Sequence, residues 1–391
     1  MKDLTILAVS VACHDGSICL LKNGEVIFYS QEERLSRIKQ DSFLPFKSLR
    51  CIKKYVDEID LLVVVNAIKE TDFDIVVKTL EKEKITIKEI FLDQLNHHLF
   101  HAASSFYGSG FDNAVCLVID GWGSISGIPA DMEHYLPKKL VVETTTIYKA
   151  EYPSSFEVIY KNLSYDPERD MEFDCNVLEE KLKEKFDCDV MTQFDIGVMY
   201  GSTTELVLEN TDALGAGKLM GLSSYGKEDE SVPPMLFEDS VFANANLFKN
   251  NRTFNIKNYP QCKKIDSFEK KANYAYAVQK ALEKVFVYRI NYILEKLPET
   301  KNIVFSGGCA LNILGNTEIK KRFPQINFYV DPIANDACQA YGAAMYNHYD
   351  RTNDMKKRKI KDLYWGQSYN LSLLEKELEI EVLKINHKNN S

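Results

Sequence analysis

The chain has 391 residues, of which 45% are hydrophobic and 27% charged, an ordinary composition for a globular protein with more than one lobe. A net charge of −9 and the lack of any membrane-length apolar run argue against nucleic-acid and membrane partners. The nine cysteines form no CxxC pair and the first residues show no secretion-signal pattern, so we expect free thiols and a cytoplasmic location.

Apolar runs and amphipathic segments alternate from residue 4 to residue 120. Asn23-Gly24 lies between two short apolar runs, which is the strongest short-range signal for a β-hairpin. The pattern predicts strands at 4–11, 18–21, 26–30, 61–66, 89–92 and 114–119, and helices at 46–56, 75–84 and 97–107. This alternation predicts a mixed α/β lobe, which we assign to residues 1–129.

The second half of the chain predicts another α/β lobe after an irregular stretch. Residues 130–195 are polar and lack periodicity apart from a charged helix at 178–186, and we assign them as a variable insertion that carries specificity. A C-terminal lobe over 196–350 is predicted from helices at 196–209, 267–297 and 336–349 and strands at 302–305 and 326–330. In the tail, 351–391, we expect the basic run at 356–359 to be solvated.

Two histidines and two aspartates are candidate metal ligands. His97 and His101 are one helical turn apart, so a helix would place both imidazoles on one face, although such pairs also occur on solvated faces. Asp120 directly follows a predicted buried strand, while Asp336 opens a predicted helix either as its N-cap or as a second carboxylate ligand. Such a set suits iron, zinc or manganese rather than calcium or magnesium.

Polar and glycine-rich turns are candidates for contact with an anionic ligand. His14, between the first two strands, could act as a general base, although an ordinary polar turn is the simpler interpretation. Gly307-Gly308 joins a strand to a helix, which suits either a phosphate or a tight turn with positive φ. Gly217-Lys218 could contact a phosphate or cap a helix, and Lys39 is a further candidate for phosphate contact.

Taken in order, these blocks resemble the O-carbamoyltransferase family of nodulation-factor and antibiotic biosynthesis. The resemblance covers roughly residues 4–350 and depends on His14-Asp15, 31–39, 97–102, Asp120-Gly121, 217–226, 306–312 and 336–344. The catalytic domain of that family is similar to the tRNA threonylcarbamoyltransferases. The resemblance therefore implies an α/β fold of two actin-like lobes, as in sugar kinases and heat-shock ATPases, around a central cleft.

The resemblance also implies ligands and roles. A divalent metal, Fe²⁺ first with Zn²⁺ or Mn²⁺ as alternatives, would be bound by His97, His101, Asp120 and Asp336. Carbamoyl-adenylate, which derives from ATP, would lie in the cleft, and a hydroxyl of a small sugar-like or nucleoside-like acceptor would attack its carbamoyl carbon. His14 would activate this hydroxyl, and Lys39 would lie near the carbamoyl-adenylate. The nucleotide would be bound by Gly307, Gly308, Asn312, Gly217 and Lys218.

Departures from the family pattern leave a second hypothesis open. Ser124 and Ala216 stand where the family usually carries acidic residues. Family members continue into a YrdC-like domain that makes carbamoyl-adenylate, whereas this sequence ends at Ser391, so we expect a separate YrdC-like partner and interpret 351–391 as a remnant of the connection. The alternative is a non-catalytic nucleotide-binding regulatory or scaffold subunit, and a homodimer is a further expectation. A sugar kinase or ATP hydrolase is disfavoured because phosphoryl transfer relies on magnesium and carboxylates more than on imidazoles.

Overall fold

The computed structural model describes residues 3–11, 14–41, 44–66, 70–123, 141–165, 175–192, 195–209, 215–250, 253–263 and 265–367. The strands are β1 (Thr5–Ser10), β2 (Ser17–Lys22), β3 (Glu25–Gln31), β4 (Glu58–Val65), β5 (Thr86–Asp93), β6 (Asn113–Ile119), β7 (Val141–Glu151), β8 (Ser155–Tyr165), β9 (Asp187–Thr192), β10 (Phe248–Asn250), β11 (Thr253–Phe254), β12 (Asn302–Ser306) and β13 (Asn327–Val330). The α-helices are α1 (Glu32–Ser36), α2 (Phe46–Cys51), α3 (Glu70–Lys82), α4 (His97–Ser109), α5 (Cys175–Lys183), α6 (Ile196–Leu208), α7 (Ala216–Ser223), α8 (Phe268–Lys296), α9 (Ile313–Arg322) and α10 (Cys338–Thr352).

The first lobe is built on a five-stranded sheet with the order β3-β2-β1-β4-β5. The central strand β1 pairs antiparallel with β2 and parallel with β4. Alternate residues of β1 enter two different cores: Leu7 and Val9 pack with α2 and α3, whereas Ile6 and Ala8 belong to the core formed with α4 and α10. Because helices cover both faces, the whole strand is buried, which explains its continuous apolar run. The hairpin predicted at Asn23-Gly24 is confirmed.

The second lobe is built on a six-stranded sheet with the order β13-β12-β6-β7-β8-β9. Its strand β12 is parallel to both neighbours, while β7 and β8 form a long antiparallel hairpin. One face of the sheet packs against α6 and the 29-residue helix α8. The sheet is therefore mixed. Strands β13, β12 and β6 are parallel to one another, β6, β7 and β8 pair antiparallel, and the edge strand β9 is parallel to β8.

The prediction that 130–195 is mostly irregular is wrong for its described part, because β7 and β8 have 11 residues each. The reason is that many of their buried side chains are polar and lie next to buried apolar ones such as Ile147 and Leu163. Thr144, Thr145 and Asn162 are buried and all hydrogen-bond to Asp195, so burial on these strands leaves no alternation of hydrophobicity in the sequence. The charged helix predicted in this stretch corresponds to α5; positions 130–140, 166–174 and 193–194 lie outside the described residues.

Helices α4 and α10 lie between the two sheets and connect the lobes. α4 packs against α10, β6 and β12, while α10 packs against β1 and β2. Gly342 allows the two helices to touch, since a Cβ at this position would lie 1.9 Å from the carbonyl oxygen of Phe100. The chain therefore crosses between the lobes at β6 and again at α10. The domain boundaries at residues 129, 195 and 350 stay a prediction.

Beyond α10, residues 353–367 run along the first lobe without helix or strand, and we call this segment the strap. The expectation that the basic run at 356–359 is solvated is wrong for Arg358, whose side chain is only 10% exposed because it pairs with Asp354 and donates to the carbonyl oxygen of Asn23. In the part of the chain that the structure describes, no helix combines the length and apolarity needed to cross a membrane.

Candidate functional site

The two predicted imidazole ligands lie side by side at the start of α4. Asp93, at the end of β5, accepts hydrogen bonds from the backbone N–H groups of Leu95 and Asn96 and so fixes the turn that leads into the helix. α4 then begins at His97, and the four-residue spacing places the ring of His101 on the same face, with 4.9 Å between the ring centroids. Both side chains are buried.

Two carboxylates from separate parts of the chain complete a four-residue cluster, in which one ligand atom of each residue lies within 4.8 Å of the others. Asp120 follows β6, and Asp336 precedes α10. The Nε2 atom of His97 is 3.3 Å from Asp120 Oδ2 and 3.5 Å from Asp336 Oδ1. The Nε2 atom of His101 is 3.4 Å from Asp336 Oδ1 and 3.9 Å from Asp120 Oδ2. Since α10 begins at Cys338, the side chain of Asp336 faces this cluster instead of capping the helix.

The other nitrogen of each imidazole is held by polar groups on the far side of the cluster. Asn66 Oδ1 lies 3.1 Å from His97 Nδ1, and an amide oxygen only accepts, so Nδ1 carries a proton and Nε2 is the nitrogen that faces the carboxylates. Nδ1 of His101 lies 3.3 Å from Ser306 Oγ and 3.0 Å from Cys338 Sγ. Such partners fix ring orientation in protein metal sites.

Without a cation, the cluster must hold protons to limit repulsion between lone pairs and carboxylates. Burial disfavours the imidazolium form of His97, but the charges of Asp336 and Asp120 outweigh it and raise its pKa to about 10. Burial alone would raise the pKa of Asp336, yet the facing imidazoles hold it well below its ordinary value.

The donor set fits a borderline divalent metal. Nε2 of the fully buried His101 lies close to two carboxylates, but it forms no hydrogen bond of acceptable geometry with the residues that the structure describes. An unpaired buried nitrogen is costly, and a cation between the imidazoles and carboxylates would satisfy it. Two imidazoles with two carboxylates are ligands that zinc, iron and manganese accept.

The cluster lies at the floor of a cleft of about 950 Å³ between the lobes, a volume that suits a nucleotide-sized ligand. Seven of the predicted site residues line it, namely His14, Lys39, Asp120, Gly217, Gly308, Asn312 and Asp336. The rings of His97 and His101 lie beneath this lining. Gly307 and Lys218 are not part of it, and Lys218 points to solvent from α7.

His14 stands at the rim of the carboxylate cluster. Its Nδ1 atom is 3.0 Å from Asp15 Oδ2 and 3.9 Å from Asp336 Oδ2, and its side chain is half-exposed to the cleft. The hydrogen bond to Asp15 is the main cause that raises the pKa of His14 to about 9; burial opposes the rise, and the charge of Asp336 adds to it. The ring is therefore oriented by one carboxylate, as a general base requires.

The turn Gly307-Gly308 after β12 fixes the carboxylate of Asp120, and Gly308 also lines the cleft. Gly307 has a φ of +91°, and a Cβ there would lie 2.3 Å from the oxygen of Ile119, so a tight turn explains this glycine. The N–H of Gly308 donates to Asp120 Oδ1 at 2.9 Å and fixes that carboxylate. Asn312 caps α9 and exchanges two hydrogen bonds with Gln279, so its amide is already engaged.

Some residues around the site escaped prediction. Asn66 directly follows the buried strand β4, which is the signal that singled out Asp120, and its positive φ of 61° also marks a special position. Ser306 belonged to a noted block but without a role. The strap residues Leu363, Gly366 and Gln367 also line the cleft, and no local sequence pattern predicts this contact. Ala216 lines the cleft too, whereas Ser124 lies outside the described residues.

Comparison with family models assigns this chain to a family, and curated relatives cover most of it at low identity. A family model described as Carbamoyltransferase N-terminus matches residues 67–345. The nodulation protein NolNO of Sinorhizobium fredii is 24% identical over 389 residues, covering 90% of this chain and 49% of that protein. An uncharacterized protein of Methanocaldococcus jannaschii is 27% identical over 307 residues, covering 76% of this chain and 44% of that protein.

Among solved structures, HypF of T. kodakarensis has a TM-score of 0.51 at 16% identity, covering 90% of this chain and 48% of that chain. At this identity the likeness concerns the fold, and it agrees with the predicted α/β fold of two actin-like lobes, which is confirmed. The chain spans about half the length of the curated relatives it matches.

Proposed function

This chain belongs to the Carbamoyltransferase N-terminus family, and from that premise we propose that it is the catalytic unit of a metal-assisted carbamoyl transfer. The donor would be carbamoyl-adenylate, and the acceptor a hydroxyl of a small sugar-like or nucleoside-like molecule. The observation that carries the proposal is the cluster of two imidazoles and two carboxylates at the floor of the interlobe cleft.

The proposed metal site uses His97, His101, Asp120 and Asp336 as ligands, with iron, zinc or manganese as the metal. Asn66 and Ser306 would keep the rings in place, since they contact the nitrogens that face away from the cluster. A divalent cation bound there supplies Lewis-acid polarisation and a fixed point for oxygen atoms of the substrates.

His14 is the proposed base for the acceptor hydroxyl. Its Nδ1–H donates to Asp15, which orients the ring and leaves Nε2 to accept a proton. The pKa of about 9 in the protein without a cation is too high for a base at neutral pH, and Asp336 contributes to it. Compensation of the Asp336 charge on metal binding would remove that contribution and lower the pKa of His14, while the hydrogen bond to Asp15 stays in place.

The proposed step is an acyl transfer that balances without a redox partner. The acceptor oxygen forms a bond to the carbamoyl carbon, its proton passes to His14, and the bond between that carbon and the phosphate oxygen breaks to release AMP. Lys39 and Arg34 both line the cleft and would offset the charge of the departing phosphate. Gly308 and Gly217 offer backbone close to the proposed nucleotide position.

The test supplies the metal-loaded protein with carbamoyl-adenylate and a panel of monosaccharides and nucleosides. We expect one class of acceptor to yield a carbamoylated product and AMP in equal amounts, and His14→Ala to lower turnover at least 100-fold because proton transfer by a positioned base contributes about 10²–10⁴-fold. Release of AMP with no carbamoylated product from any acceptor would contradict the transfer.

A second candidate, a nucleotide-binding regulatory or scaffold subunit, is favoured by Ala216. This residue lines the cleft where the family usually carries an acidic side chain, so one carboxylate is missing from the wall. We propose a separate YrdC-like protein as the source of carbamoyl-adenylate. Calorimetric binding of AMP without transfer, even when that partner and ATP with carbamoyl phosphate are present, would favour the scaffold.

A further inference from the structure

We propose that the strap, residues 353–367, is anchored to the first lobe so that its end forms part of the cleft wall, and that Gln367 contacts the hydroxyl-bearing acceptor. The inference rests on the proposed function and adds a specificity-determining residue to it. It starts from the observation that three strap residues, Leu363, Gly366 and Gln367, line the interlobe cleft although they follow the last helix of the second lobe.

The first anchor of the strap is Arg358. Its guanidinium donates to the carbonyl oxygen of Asn23 at 3.0 Å and to Glu25 at 3.2 Å, and it pairs with Asp354 at 2.7 Å. It lies directly against Gly24, where a Cβ would come within 2.7 Å of the guanidinium carbon. A mostly buried arginine with this many partners holds the strap on the β2–β3 turn.

The second anchor is formed by Ile360 and Trp365. The N–H of Ile360 donates to the carbonyl oxygen of Gly108 at 2.9 Å. The ring of Trp365 stacks on Tyr341 at 5.4 Å between centroids and meets Tyr29 edge-on at 5.9 Å. The N–H of Tyr29 donates to the carbonyl oxygen of Trp365 at 3.0 Å, so the strap is joined to β3 two residues before Gln367.

This attachment puts the end of the strap on the same wall of the cleft as His14. Both the turn that carries His14 and strand β3 belong to the first lobe, and the N–H of Glu32 donates to Gly16 to join them. The proposed nucleotide contacts Gly217 and Gly308 come from the second lobe on the other side. A ligand group that meets Gln367 is therefore on the side of the acceptor base.

The chemistry of the strap end suits a polyhydroxylated molecule. Gln367 is partly exposed, and its carboxamide has no hydrogen-bond partner among the residues that the structure describes. An amide offers both a donor and an acceptor, which matches vicinal hydroxyls, and it adds no charge to the wall. Leu363, which lines the same cleft, is 43% exposed and would provide an apolar contact for the carbon face of a sugar ring.

The experiment compares wild type, Gln367→Ala and Tyr364→Ala in carbamoyl transfer from carbamoyl-adenylate to the best monosaccharide or nucleoside of the panel. Tyr364 is the matched control because it lies in the same segment, is 95% exposed and does not line the cleft. We expect Gln367→Ala to raise the KM of the acceptor about three- to tenfold with little change in kcat, the size of one lost neutral hydrogen bond. The AMP dissociation constant and the metal content should stay those of wild type, and Tyr364→Ala should change none of these values.

A second readout does not need turnover. The chain has two tryptophans, so Trp122→Phe leaves Trp365 as the single fluorescent reporter at the strap. Titration with the same monosaccharide or nucleoside should change its emission in the Trp122→Phe protein, and Gln367→Ala in that background should weaken the apparent binding by the same factor.

The outcomes separate this inference from the proposed function. If wild type transfers carbamoyl groups but Gln367→Ala leaves the acceptor KM unchanged, or alters AMP binding instead, the role of Gln367 is refuted while the function stands. If wild type transfers to no acceptor but the tryptophan titration still depends on Gln367, the strap binds the ligand and the transferase function fails. If neither readout responds, both are overturned.

Discussion

Substitution of His101 by alanine should abolish metal binding while leaving the fold in place. Its Nε2 atom lies 3.4 Å and 3.9 Å from the two carboxylates, so the imidazole supplies one of four converging ligand atoms. Loss of an outer partner of a metal ligand already costs about 10–100-fold in affinity, so loss of the ligand itself should cost more than about 100-fold, or about 2.7 kcal/mol. Elemental analysis of the purified protein and calorimetric titration with Fe²⁺, Zn²⁺ and Mn²⁺ measure this loss.

His98→Ala is the matched control for that experiment. His98 lies on the same helix and is equally buried, but its Nδ1 atom contacts Thr146 at 2.7 Å and Glu143 at 3.1 Å instead of the cluster. Both substitutions delete the same atoms from one helix, so their packing costs should be comparable. The reasoning is refuted if His101→Ala keeps stoichiometric metal with unchanged affinity, or if His98→Ala loses as much metal.

Three further outcomes follow from the same structure. The pKa of His97 is raised to about 10 in the metal-free protein, and an imidazole must be neutral to bind a metal, so metal binding between pH 6 and 8 should release a proton. The metal affinity should therefore rise about tenfold per pH unit. Calorimetric titration in two buffers of different ionisation enthalpy detects the released proton, and a pH-independent affinity would contradict this prediction. Burial opposes ionisation of Glu143, but the charge of Lys161 outweighs it and lowers the pKa of Glu143 to about 2. The ionised carboxylate therefore stabilises the folded protein by about 3 kcal/mol above pH 4.5, and this contribution is lost as the pH falls towards 2. Urea unfolding at pH 7 and pH 3 should show a weaker acid dependence for Glu143→Gln than for wild type. Gly307→Ala should destabilise the protein by about 1–3 kcal/mol, because φ at this position is positive and the added Cβ would clash with the carbonyl oxygen of Ile119 at the end of β6. A Cβ at Gly217 meets open space, so Gly217→Ala should be neutral or stabilising. Equal melting temperatures of the two variants would rule out this explanation.

The elements with regular periodicity were predictable from local pattern. The strand at β1, the hairpin at Asn23-Gly24 and the long helix α8 appear within a few residues of their predicted positions. The hairpin β7–β8 was missed because its buried positions carry threonine, asparagine and an ion pair between Lys161 and Glu143. Where buried side chains satisfy one another by hydrogen bonds, hydropathy along the sequence carries no strand signal.

The candidate site was predictable to the extent that each ligand has its own local signature. His97 and His101 share a helical face, and Asp120 follows a buried strand. Asp336 was ambiguous between a cap and a ligand, because both roles place an aspartate before a helix. Only the packing of α10 against α4, with Gly342 on Phe100, brings this carboxylate to the imidazoles.

The sequence by itself predicted the α/β class from the alternation of apolar runs, and local patterns singled out His97, His101 and Asp120, whereas Asp336 stayed open between a cap and a ligand. The tertiary structure alone decided which ring nitrogens face the carboxylates, that the amide of Asn312 is engaged by Gln279, and that Arg358 of the strap is mostly buried. These features depend on contacts between residues far apart along the chain, such as Trp365 with Tyr29. Local pattern cannot encode them, because the free energy of such contacts arises only when separate elements exclude water together.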